Sequence, residues 1–253
     1  MAAALLVAAV AGVLHTRPFL LSRLVITGLR QATPAEVEAD LALPEGSYTW
    51  QLRTWVLARR IEADPLISHA SFRILWPNGL LVAVTERTPA ALLQDGGTAW
   101  EVTAGGLLLR ALPDQGGAAH VTAQGLPPEL PLIAGVHLTA PTAGTVVPGP
   151  AVRRALRVAQ ALGGTVGKQI SEVTVDAAGS VGVLTSGGVP ADYGNGAQAS
   201  LKTEELLGIL SCARSGGVTL TAIDLAAPLT PAVRTKAGGA SWKPCPLPPS
   251  VAG

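Results

Sequence analysis

The strongest constraint on the fold lies between Arg60 and Ala90. Arg60-Ile-Glu-Ala-Asp-Pro65 reads as the end of a helix, because a proline disfavours helical backbone at the residue before it and so stops the helix at Asp64. Ala70, Phe72, Ile74 and Trp76 then alternate with Ser71, Arg73 and Leu75; after Trp76-Pro-Asn-Gly79, Leu80, Val82 and Val84 alternate with Leu81, Ala83 and Thr85. A period of two is that of a strand with one apolar face. A two-residue Asn78-Gly79 loop would pair Trp76 with Leu81. A three-residue Pro77–Gly79 loop pairs Trp76 with Leu80, puts the larger apolar sets on one face and gives Gly79 the left-handed position such loops favour. The three-residue loop is therefore predicted. Helix, strand, turn and strand together make half of a small α/β module, ended by Val84-Thr-Glu-Arg-Thr-Pro-Ala90.

The other half lies upstream. Leu24-Val-Ile-Thr27 is a short β-type run ended by Gly28. Thr33-Pro-Ala-Glu36 opens a helix: Thr33 can cap the Glu36 amide, Glu36 can reach back, and Pro34 sits at the first helical position, where its missing N–H does no harm. Val37 and Leu41 share one face, and Pro44-Glu-Gly46 breaks the helix. A second helix is expected from about Leu52 to Ala63, with Leu57 and Ile61 as its apolar pair. The order is β-α-α-β-β over about residues 23–87.

Before this module, Ala2 to Leu14 is an unbroken apolar run. At the helical rise it reaches roughly 20 Å, short of a ~30 Å hydrocarbon core. Extension to Leu21 reaches a spanning length but takes in His15, Arg17 and Pro18. Three readings stand: a signal anchor, a cleaved signal peptide with Ala9-Val-Ala11 as its small-residue site, or a buried helix. The first two place residues 22–253 across a membrane.

After Thr88-Pro89 the pattern is β-rich. Trp100-Glu-Val102 and Leu107-Leu-Leu109 flank Ala104-Gly-Gly106 as a hairpin. Leu130-Pro-Leu-Ile-Ala-Gly135 is a short strand. Ala151 to Leu162 is a helix with Val152, Leu156 and Ala159 on one side. Strands at Glu172–Asp176 and Ser180–Leu184, a helix at Ser200–Ala213 with Leu206, Ile209, Leu210 and Ala213 as its buried stripe, and a strand at Val218–Leu225 follow. A polar Gly/Pro-rich tail closes the chain.

Composition excludes several function classes. Hydrophobic residues make up 48% of 253 and charged residues 14%, which permits a substantial core. A net charge of +1 gives no global electrostatic case for nucleic acid. The four histidines are scattered without paired-ligand spacing, so no metal site is expected. Gly163-Gly-Thr-Val-Gly-Lys168 lacks the first glycine and the closing Ser/Thr of a phosphate loop and follows a helix, so no cofactor is expected there. Glu172 and Asp176, four apart on a strand, stand about 13 Å apart and do not form a hydrolase pair. Arg153, Arg154 and Arg157 make a solvated helix face or a contact for acidic lipid or a partner. Cys212, in an apolar helical pattern, is expected as a buried thiol, with a bridge to Cys245 as the alternative in an oxidising compartment. No catalytic constellation is present.

The Arg60–Pro65 stretch, with Trp76-Pro-Asn78 and Val84–Ala90, resembles the FtsQ/DivIB cell-division family and looks like that family's POTRA domain. Leu130–Gly135, Ser171–Asp176, the helix around Leu201–Leu210 and Ala222-Ile-Asp-Leu225 are similar in order to the family's β-domain. The resemblance implies an α+β chain: a membrane anchor at residues 1–21, a POTRA domain at 22–88, an FtsQ-type β-domain at 89–235 with two helices, and a flexible tail at 236–253. It further implies a non-enzymatic divisome scaffold in the plasma membrane, with its domains outside the cytoplasm, that binds FtsB and FtsL and helps recruit and regulate septal wall synthesis. The partner surface it implies is the last sheet edge, Ile223, Leu225, Leu229 and Val233, with Trp242 beyond. Pro228 and Pro231 are tolerable only on an edge or before a strand. The competing expectation is a POTRA component of a secretion or outer-membrane assembly system, which normally carries tandem POTRA repeats or a long barrel.

Overall fold

The computed structural model describes residues 1–3, 16–96, 98–113, 130–163, 169–227 and 230–236. The expected anchor falls mostly on residues 4–15, and the tail on 237–253, outside the described residues. Among the described residues no helix is long and apolar enough to cross a membrane. The chain divides into two compact units, Met1–Thr88 and Pro89–Gly253.

The first unit has strand β1 (Arg23–Thr27), helices α1 (Pro34–Leu41) and α2 (Thr54–Ile61), and strands β2 (Ile67–Leu75) and β3 (Gly79–Glu86). Their sheet order is β1-β3-β2, with β1 parallel and β2 antiparallel to β3. The capping box forms as read: Glu36 N–H donates to Thr33 Oγ1 at 3.3 Å and Thr33 N–H to Glu36 Oε2 at 2.7 Å. Helix α1 ends earlier than Pro44 requires, because Ala42 turns left-handed at φ 44°. Val37, Leu41, Leu57, Ile61, Leu80, Val82 and Val84 pack into one core.

The hairpin register differs from expectation. Leu75 faces Gly79, Ile74 faces Leu80, and Phe72 faces Val82, so the three loop residues are Trp76, Pro77 and Asn78. The apolar faces still match, since the shift is by two residues and conserves the pleat. Two contacts account for the shorter strand. A side chain at Gly79 would place its Cβ 2.9 Å from Leu75 Cβ, so glycine serves close cross-strand approach rather than a left-handed turn. Asn78 also serves β1: its carbonyl accepts from Ser22 N–H and Arg23 N–H at 3.0 and 3.2 Å, and its amide donates to Ser22 Oγ at 2.9 Å.

The motifs that identify the module are its structural ties. Arg60 Nη1 donates to the Leu41 and Ala42 carbonyls at 3.0 and 3.3 Å, closing the end of α1. Glu62 Oε1 accepts from Ala70 N–H at 3.1 Å and lies 2.8 Å from His69 Nδ1, contacts that hold its carboxyl below the usual glutamate range. Arg87 Nη1 donates to the Pro65 and Ile67 carbonyls at 2.7 and 2.6 Å. Glu86 accepts from three successive backbone N–H groups, those of Arg30, Gln31 and Ala32. Gly28 stands just before that loop at φ 90°, where a Cβ would fall 2.0 Å from the Val84 carbonyl oxygen.

The second unit runs β4 (Ala91–Asp95), β5 (Thr98–Val102), β6 (Leu108–Pro113), β7 (Leu132–Ala134), α3 (Pro150–Leu162), β8 (Ile170–Val175), β9 (Val181–Thr185), β10 (Pro190–Gly194), α4 (Ala199–Ser215), β11 (Leu220–Asp224) and β12 (Ala232–Thr235). All its strands join one 9-stranded sheet, ordered β12-β11-β10-β9-β8-β7-β4-β5-β6. Pairing is parallel at β4/β7, β7/β8 and β10/β11 and antiparallel elsewhere. Val152, Ala155, Leu156, Ala159 and Leu162 of α3 and Leu206, Ile209 and Ala213 of α4 share one core with Val173, Val183 and Ile223 of the sheet. Helix α3 thus uses the stripe its sequence spacing predicts. Cys212, expected as a free thiol, is instead disulfide-bonded; Cys245, the chain's other cysteine, lies outside the described residues.

Candidate functional site

The two ends of the 9-stranded sheet are not equivalent. At the β6 end, Leu108 is already hydrogen-bonded beyond the sheet: its N–H donates to the Thr145 carbonyl at 2.9 Å and its carbonyl accepts from Gly144 N–H at 2.8 Å. Pro113, which has no N–H, closes that strand. At the other end stands β12, short, antiparallel to β11 and with no further strand beside it among the described residues. Its register sets Ile223 opposite Val233, Ala222 opposite Arg234 and Asp224 opposite Ala232.

Pleat alternation divides β8 to β12 into two faces. Val173, Val183, Ala191 and Ile223 point into the core beneath the helices. Thr174, Gly182, Leu184, Ala222, Ala232 and Arg234 line a shallow trough of about 570 Å³, which Asp176, Asp192 and Asp224 also border. Gly182, Ala222 and Ala232 keep part of the floor low, and it runs out to the β12 edge. The three aspartates each close a turn at a strand end: Oδ1 accepts from Ala178 and Ser180 N–H at Asp176, from Gly194 N–H at Asp192 and from Ala226 N–H at Asp224. The border is therefore acidic, with Arg234 as its cation.

The root of this edge is held by a buried lysine. Lys202 is 1% exposed, and its Nζ donates to the Tyr193 carbonyl at 2.8 Å and the Ala226 carbonyl at 3.1 Å. It ties the end of β10 to the chain leaving β11. Burial pushes its pKa down, opposed by the carboxylates of Asp192, Glu205 and Asp224. Beside it the Tyr193 hydroxyl lies 3.2 Å from Thr203 Oγ1, and burial pushes that phenol up to about 12. Lys202 was legible in one respect: it sits four residues before Leu206, on the apolar stripe of α4, where a charged residue needs a buried partner.

Residues 19–87 match the family model of the FtsQ-type POTRA domain. A cell division protein FtsQ from Streptomyces collinus is 27% identical over 201 residues, covering 75% of this chain and 70% of that protein. One from Streptomyces griseus is 26% identical over 208 residues, covering 82% of this chain and 93% of its own length. The chain thus carries a domain that matches the FtsQ-type POTRA model and is similar over most of its length to FtsQ cell-division proteins. Its match to the Rhodothermus marinus FtsQ is 36% over 118 residues, spanning 40% of that relative.

Against the FtsQ-derived expectation, the edge residues separate into three groups. Ile223 and Leu225, expected to face a partner, are instead 2% and 0% exposed in the core, because pleat alternation turns Ile223 of β11 and the Leu225 that follows it inward. They hold the edge strand's neighbour in place. Val233 lies on β12, half-buried against the same core. Leu229 and Trp242 lie outside the described residues. The side chains on β12 that face away from the core, Ala232 and Arg234, went unnoticed in the sequence because neither is a large hydrophobe. Of the Glu172 and Asp176 pair, Asp176 accepts from the N–H groups of its turn, and burial raises Glu172 above the usual glutamate range.

Proposed function

We propose that this chain is a non-enzymatic divisome scaffold that captures an FtsB-type partner by strand addition along β12. FtsL belongs to the same assembly, and the complex helps recruit and regulate septal peptidoglycan synthesis at the plasma membrane, with both units outside the cytoplasm. The observation that carries this reading is the β12 edge, which stands beside an open trough while the opposite edge is partly covered. An added strand gains main-chain hydrogen bonds from the edge, and its alternate side chains fall over the trough or beside Val233. A trough bordered by three aspartates favours small or basic side chains on that face of the incoming strand.

The test is capture of a peptide from the extracytoplasmic end of the host FtsB by the full chain. Val233→Pro removes a backbone donor from β12 and abolishes capture while the thermal melt shows a folded protein. Capture of the same peptide by folded Val233→Pro at wild-type strength contradicts the edge assignment.

A further inference from the structure

The chain has five Trp, two Tyr and two Phe, and Phe19, Tyr48, Trp50 and Trp76 gather at one end of the first unit. Phe19 and Trp76 meet edge-to-face with ring centroids 6.3 Å apart, and Tyr48 and Trp50 lie at the same distance with their rings tilted by 36°. The backbone joins the two pairs. Leu20 bridges to Tyr48, and Leu21 N–H donates to the Ser47 carbonyl at 2.8 Å. Thr49, 0% exposed, directs its hydroxyl to the carbonyls of Pro77 at 2.7 Å and Phe19 at 3.3 Å. This hub fixes the β2–β3 turn beside the residues that enter β1.

The rings are not core. Trp76 is 61% exposed, and Phe19, Tyr48 and Trp50 are only half-buried. Exposed Arg17 and Arg53 stand next to them in the chain. The apolar Ala2–Leu14 run ends three residues before Arg17, a separation of roughly 10 Å at most along the chain. Wherever that run lies, this end of the unit lies beside it.

We infer that this aromatic end is a lipid-interface seat. It rests on the reading that residues 2–14 enter a membrane. The amphipathic rings then lie in the headgroup layer, where Trp and Tyr are favoured, and Arg17 and Arg53 reach lipid phosphates. The seat fixes the first unit against the bilayer instead of leaving it to swing on a flexible tether. A soluble protein covering the same rings is the competing occupant, and the experiment separates them.

The full chain is reconstituted into vesicles of bromine-labelled phosphatidylcholine with a minor fraction of phosphatidylglycerol, with no other protein present. Flotation reports whether the chain enters the membrane; quenching of tryptophan emission by bromine reports which rings reach the lipid. Trp50→Phe with Trp76→Phe is expected to float as the wild type does and to lose most of the quenching. Trp55→Phe, on the exposed side of α2, is expected to keep it. Normal flotation with quenching unchanged by the double substitution overturns the seat and leaves the anchor standing. Absence of flotation by the wild-type chain overturns the anchor reading, and the seat with it.

Discussion

Replacing Glu86 by alanine tests whether the Val84–Ala90 motif acts by tying β3 to the loop between β1 and α1. Oε1 accepts from Arg30 N–H at 2.8 Å, Gln31 N–H at 3.1 Å and Ala32 N–H at 3.0 Å, and Oε2 accepts from Gln31 N–H at 2.9 Å. Ala32 is 7% exposed, so its freed N–H has little access to water. A buried donor left without a partner costs about 1–3 kcal/mol. Arg30 is exposed and Gln31 half-buried, and water can replace the lost acceptor there. Their joint loss is about 1 kcal/mol, the ordinary net value of a hydrogen bond. The expected destabilisation is therefore about 2–4 kcal/mol, a fall in midpoint of roughly 10–25 °C for a unit of this size. Glu86→Gln falls between, because its amide keeps one acceptor but turns an NH2 toward backbone donors. Calorimetry of the full chain, following the transition of the first unit, measures both. A Glu86→Ala change below about 0.5 kcal/mol, the range of ordinary surface substitutions, refutes the tie.

Two further substitutions probe the second unit. Lys202→Met leaves the Tyr193 and Ala226 carbonyls without their donor, and is expected to destabilise that unit by about 1–3 kcal/mol and to weaken capture at β12 as well; a stability loss with unchanged capture would confine Lys202 to the core. Glu101, 0% exposed, meets Arg110 Nη2 at 2.9 Å, yet burial outweighs that partner and raises its pKa. A raised folded-state pKa means the native state holds the proton more tightly, so this group's contribution is full below the ordinary glutamate pKa and is lost as pH rises through the raised one. Glu101→Gln is expected to flatten the pH dependence of stability across that window in urea titrations, and an unchanged profile would contradict the assignment.

The local signals in the sequence were the readable ones. The Thr33–Glu36 box and the alternating strands involve residues within a few positions of one another and form as read, whereas α2 runs Thr54–Ile61, starting later than Leu52 and ending before the Asp64 stop that Pro65 predicts. The turn at Trp76–Asn78 was misplaced because its register depends on distant partners, the Leu75 contact at Gly79 and the start of β1 at Asn78. Strands β4 and β10 gave no sequence signal: β4 is a short apolar run, and β10 carries Pro190, Asp192 and Gly194. Each pairs with its neighbour in sequence, β5 or β9, and also with a strand far along the chain, β7 or β11. At the edge, alternation showed that β11 has two faces but not which one the helices cover. That is why Ile223 and Leu225 fell on the wrong side of the expectation while the trough went unread.

Under the proposed function a partner strand adds to β12. Backbone amide hydrogen exchange of the full chain, with and without the host FtsB peptide, tests it at the atoms concerned. The peptide is expected to slow exchange within Ala232–Thr235 and to leave the β6 edge at Leu108–Pro113 unchanged. Bound peptide with no new protection in β12, or with protection confined to β6, would contradict it.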